Sequence, residues 1–89
     1  MAQVVKVIKN SYHDSVSLMV LTNKLNAMDG VDQAMVCMAT PMNKELLEVA
    51  GLLTDEAAQS GPNDLVVAVS ANSGKTCEEI VANAIDFMP

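Results

Sequence analysis

Two short runs constrain this chain more than any other feature. QAMVCMAT (residues 33–40) and LVVAVSA (residues 65–71) are apolar on both alternating sets of side chains. Successive side chains of a strand point to opposite faces, so each run needs cover on both sides, as in the parallel sheets of α/β folds. A third run, Val4–Ile8, is rich in β-branched residues, with Lys6 and Lys9 at solvent-facing or terminal positions, and reads as the first strand.

Helical signals fill the intervals. DSVSLMVLTNKLNAMDG opens on the capping residues Asp14 and Ser15 and closes on Gly30. Thr40-Pro41 stops the second strand and starts a short helix through NKELLEVAGLL, while TDEAAQSGPND is a polar connector. TCEEIVANAIDFM carries an apolar stripe at Cys77, Ile80, Val81, Ala84, Ile85 and Met88. The order βαβαβα predicts one α/β domain over residues 1–89, in two or three layers, with a three-stranded, mainly parallel sheet. A ferredoxin-like α+β sandwich is the alternative if a pair of strands runs antiparallel.

Bulk composition narrows the function. Of 89 residues 51% are apolar, seven are Met and only 18% are charged, more apolar surface than one small core needs. This predicts a homo-oligomer, or a module that docks on other domains. The net charge is −6 and all five basic residues are Lys, which speaks against nucleic acid and anionic membranes. Cys37 and Cys77 stand forty positions apart without partners at metal-ligand spacing, so they read as buried thiols of a cytoplasmic protein, with no metal site. No apolar run approaches the roughly 20 residues that span a bilayer, and no signal peptide is expected.

The motifs are partial. SANSGKT (residues 70–76) follows a strand and enters a helix, as a phosphate-binding loop does, but Val69 occupies the position where the pattern requires glycine. Thr76 and Glu79 instead match a capping box. His13 beside Asp14 reads as a loop or cap residue, and no catalytic residue is expected. The strand ends nevertheless make a candidate anion or ligand site from Ser11, Asp14, Ser15, Thr40, Asn43, Lys44, Ser73, Gly74 and Lys75. Leu18, Met19, Leu21, Met28 and Met42 are candidate interface residues, Met being suited to adaptable surfaces.

Three blocks, YHDSVSLM (12–19), MATPMNKELLEVAGLL (38–53) and GPNDLVVAV (61–69), resemble the N-terminal region of the FdrA family, proteins similar to acyl-CoA synthetases and to the succinyl-CoA synthetase α subunit. Matching positions are Asp14, Ser15, Met19, Asn43, Lys44, Leu46, Leu47, Gly51, Pro62, Asn63 and Asp64. The resemblance implies a non-catalytic accessory module of a CoA-ligase-related protein, in an acyl or carbamoyl transfer context, acting by self-association and domain docking. CoA-binding or ligase-like domains or subunits would be its partners. No cofactor is implied for this chain itself; CoA or a nucleotide belongs to the parent assembly. The alternative is that the strand-end site contributes to a ligase or transferase centre by binding a small anion, CoA or a nucleotide.

Overall fold

The computed structural model describes residues 2–86, with backbone only at 74, 75, 85 and 86. Three strands, β1 (Ala2–Ile8), β2 (Val31–Met38) and β3 (Leu65–Ala71), form one sheet in the order β1-β3-β2. Four helices accompany them: α1 (Ser15–Asn26), α2 (Pro41–Val49), α3 (Asp55–Gln59) and α4 (Gly74–Asp86). β3 lies in the centre and pairs antiparallel with both neighbours, Ala2 opposite Ala71 through Ile8 opposite Leu65 on one side and Met38 opposite Leu65 on the other.

The α/β class therefore holds, and the arrangement is the ferredoxin-like alternative. The expected parallel pairing is corrected. Apolar residues on both faces require two covering layers but say nothing of strand direction. Direction is decided by the link between β2 and β3. The stretch anticipated as a polar connector contains a second short helix, α3, capped by the Thr54 side chain, which accepts from Ala57 N–H at 3.2 Å. Two short helices bring the chain back to the sheet end where β2 stopped, and Ala39 N–H donates to Asp64 O at 2.9 Å to close the return. β3 must then run against β2. β1 and β2 remain parallel to each other on either side of it.

Two apolar layers flank the sheet. On one face Leu18, Leu21 and Leu25 of α1 and Cys77, Ile80, Val81 and Ala84 of α4 pack against Val36, Leu65, Val67 and Val69. On the other, Leu47, Leu52 and Ala57 cover Cys37, Val66 and Ala68. The α4 stripe is as anticipated through Ala84. The Ile85 side chain, Met88 and Pro89 lie outside the described residues.

The two sheet edges are treated differently. Along β2, side chains of α1 stand in for a further strand. Asn26 Oδ1 accepts from Ala34 N–H at 2.9 Å and its Nδ2 donates to Ala34 O at 3.0 Å. The Thr22 hydroxyl accepts from Val36 N–H at 3.0 Å and donates to Val36 O at 3.3 Å, and Asn43 Nδ2 donates to Met38 O at 2.9 Å. Because Ala34 and Val36 face α1, the alternating residues Gln33, Met35 and Cys37 bond to β3. The remaining set on β3, Leu65, Val67 and Val69, then bonds to Ile8, Lys6 and Val4. Gln3, Val5 and Val7 turn their N–H and C=O groups outward, and among the described residues no hydrogen bond reaches them.

Asn26→Ala should remove both bonds to Ala34 and destabilise the domain by about 1–3 kcal/mol in urea unfolding, the range for leaving enclosed backbone groups unpaired. A loss indistinguishable from zero would show that water replaces the Asn26 amide at this edge.

Candidate functional site

The predicted site residues divide between the two ends of the sheet. β1 and β2 both finish at one end, where Ser11, Asp14, Ser15, Thr40, Asn43 and Lys44 gather beside the start of β3. β3 finishes at the other, so Ser73, Gly74 and Lys75 lie beside Gly30 instead, Asn72 N–H donating to Gly30 O at 3.0 Å. Gly30 holds φ +86, and a Cβ there would come within 3.3 Å of the Asn72 side chain. The antiparallel central strand thus separates what a parallel sheet would have joined.

At the first end most of these polar groups have a structural partner. Asp14 caps α1, its carboxylate accepting from Ser17 N–H at 2.8 Å and from Ser17 Oγ–H at 3.0 Å. Those bonds hold its pKa below the ordinary 3.8. Thr40 Oγ1 caps α2 by accepting from Asn43 N–H at 3.3 Å. Lys44 Nζ donates to Ser60 O at 2.6 Å and to Ala58 O at 3.0 Å, tying α2 to the end of α3. Ser11 Oγ lies 3.1 Å from His13 Nε2.

Sequence reasoning missed the central residue of this end. Asp64, buried just before β3, accepts from Asn10 N–H and from Gly61 N–H, both at 2.9 Å. Asn10 adopts φ 53, a left-handed conformation that asparagine tolerates better than most residues. Asp64 thereby fixes the loop after β1 to the loop before β3. The bond from Asn10, then that from Gly61, lowers its pKa below 3.8, with Lys9 and Lys44 assisting. The available signal was the Gly61-Pro62-Asn63-Asp64 turn itself, since a short acceptor commonly organises such turns.

At the other end SANSGKT is a strand-to-helix turn, with its cap three residues earlier than anticipated. α4 begins at Gly74, and Ser73 Oγ accepts from Thr76 N–H at 3.1 Å. Thr76 Oγ1 meets Ser73 Oγ at 2.8 Å, so Thr76 lies inside the first turn and does not cap it.

The interface candidates also divide. Leu18 and Leu21 face the core, whereas Met19 and Met42 are exposed, at 63% and 71%, and Met28 is exposed to a lesser degree. A groove of about 250 Å³ runs between α1, β2 and the start of α2, bordered by Met19, Thr22, Met35, Cys37 and Asn43 among others. Burial pushes the Cys37 thiol up to about 11. Cys77 lies across the sheet, its Sγ donating to Ala2 O at 3.2 Å. Among the described residues no three His, Cys, Asp or Glu side chains are grouped to hold a metal ion, and no helix is long and apolar enough to cross a membrane.

Comparison with known proteins adds a family. A family model described as AllF, heavy metal-associated domain, matches residues 1–88. The uncharacterized protein YahF of Escherichia coli (strain K12) is 46% identical over 72 residues, which are 81% of this chain and 14% of YahF. No solved structure matches. These findings replace the assignment to the FdrA family, and with it the roles inferred from that family: accessory module of a CoA-ligase-related protein, or contributor to a ligase or transferase centre. Several residues behind the resemblance have structural work here, Asp14 as a cap, Leu47 in the core, Asp64 as a loop tie. Such positions report on the frame and not on chemistry.

The low pKa of Asp64 has a definite sign. The folded chain keeps the carboxylate ionised to lower pH than the unfolded chain, so its stabilisation is present above about pH 4 and is lost as pH falls through the folded value. Asp64→Asn should flatten the dependence of stability on pH in acid relative to wild type, measured by urea midpoints. Parallel profiles would show that the Asn10 and Gly61 bonds are insensitive to its charge.

Proposed function

We propose, for a chain that belongs to the AllF heavy metal-associated domain family, that it is a protein-association domain which receives a partner's β-strand on its β1 edge, and is not a metal carrier. The asymmetry of the sheet edges carries this reading: α1 side chains occupy the β2 edge, while Gln3, Val5 and Val7 leave a regular row of donors and acceptors along β1. Strand addition to an open edge supplies main-chain bonds for affinity and side-chain pockets for selectivity. Val4, Val5, Val7 and Ile8 are only half-buried, although β-branched residues of this kind are usually enclosed.

The described residues do not fit a heavy metal ion. Soft ions favour thiolate and thioether donors gathered at one point, and the sheet lies between Cys37 and Cys77. Met19, Met35 and Cys37 do border one groove. Burial raises the Cys37 pKa, and the thiol must lose its proton to bind, which disfavours a metal ion there. With both cysteines free and enclosed, a reducing compartment such as the cytoplasm suits the chain.

Two measurements test the reading. Titration with Cu(I) against a chromophoric chelator should leave the chelator complex intact; a stoichiometric protein complex, lost in Cys37→Ser, would restore a metal role. Heptapeptides displayed on phage and selected on the sparsely immobilised domain should bind wild type and Met42→Ala but not Val5→Pro. Proline at 5 removes an outward N–H and leaves the β1-β3 bonds in place. Selected peptides that bind Val5→Pro equally well would place recognition elsewhere.

A further inference from the structure

We infer that the strand received at the β1 edge is β1 of a second copy of this chain, paired antiparallel about a two-fold axis at Val5. The inference rests on the strand-addition reading and names its partner.

The outward groups belong to Gln3, Val5 and Val7, which are symmetric about Val5. In an antiparallel pair centred there, Val5 exchanges both main-chain bonds with its counterpart, and Gln3 exchanges both with the other copy's Val7. All seven residues of β1 find a partner, Ala2 opposite Ile8 and Val4 opposite Lys6. Other two-fold centres do worse. A centre at Lys6 sets two ammonium groups directly opposite, which is repulsive, and a centre at Val4 carries Val7 and Ile8 past the start of the other copy's β1.

Charge favours the same register. Each copy carries −6 overall, which opposes association at long range. The only charged side chain within β1 is Lys6. A groove of about 270 Å³ follows the open edge, bordered by Val4, Lys6, Glu78, Val81 and Ala82. The Val5-centred register brings Lys6 of each copy opposite Val4 of the other, into the groove that Glu78 borders. Two cross-copy pairs of opposite charge result, beside apolar cover for the half-buried Val4.

The edges also explain why assembly would stop at two. Pairing at β1 makes one continuous sheet of six strands with β2 at each margin. Those margins are already occupied by Thr22 and Asn26. An isologous contact with both outer edges blocked forms a closed dimer and not a fibre.

Sedimentation equilibrium and amide hydrogen exchange test the inference. Wild type should show a monomer-dimer equilibrium, with the amides of Gln3, Val5 and Val7 becoming protected as concentration rises. Lys6→Glu, an exposed substitution whose folding is checked by circular dichroism, should weaken the dimer roughly tenfold or more, as like charges across an interface do. Adding Glu78→Lys to it should restore association. A chain monomeric at millimolar concentration overturns the second-copy inference, whereas the strand-addition reading stands or falls separately on the displayed peptides. A dimer indifferent to Lys6→Glu, with no new protection on β1, or growth into larger oligomers, overturns it equally.

Discussion

The central position of β3 is the constraint on which the remaining structure depends. Leu65 to Val69 are wholly enclosed, and their main-chain bonds run alternately to β1 and to β2. One seven-residue strand thus joins both neighbours and anchors both helical layers. It runs antiparallel to each neighbour because the α2–α3 link returns the chain to the end it left. Asp64 and the Ala39–Asp64 main-chain bond hold that return in place.

With the centre fixed, the margins carry the character of the domain. Strands at the edge of a sheet invite pairing with other chains, and proteins commonly blunt them with side chains, charge or cover. Here α1 does so at β2 with two side chains one helical turn apart, Thr22 and Asn26. That row of side chains flanks the Leu18, Leu21 and Leu25 stripe that enters the core. β1 has only Lys6 to limit indiscriminate pairing. The cysteine on β2 and the cysteine on α4 fall in different layers of the same sandwich, so the two thiols do not gather at one point.

The candidate site shows where residue patterns lose their force. Asp14, Thr40, Asn43 and Lys44 are polar residues at the ends of elements, and sequence alone does not distinguish a ligand-binding group from one that closes the backbone. The structure gives each a main-chain partner. Asp64 was legible only as part of a turn, yet it ties its own loop to Asn10, 54 positions away in sequence. Likewise the cap of α4 was legible as an S/T pattern near residue 76, but only the position of the first helical turn identifies Ser73 as the acceptor.

By itself the sequence determined the three strands, the principal helices and the need for cover on two faces, because these follow from side-chain period and local capping over a few residues. It also determined the net negative charge. Strand direction, the separation of the loops at 10–15 and 70–75, the placement of the two cysteines in different layers and the unequal edges were decided only by tertiary structure. Each depends on which strand lies in the middle, and that outcome arises from contacts between residues far apart in the chain, which no local pattern records.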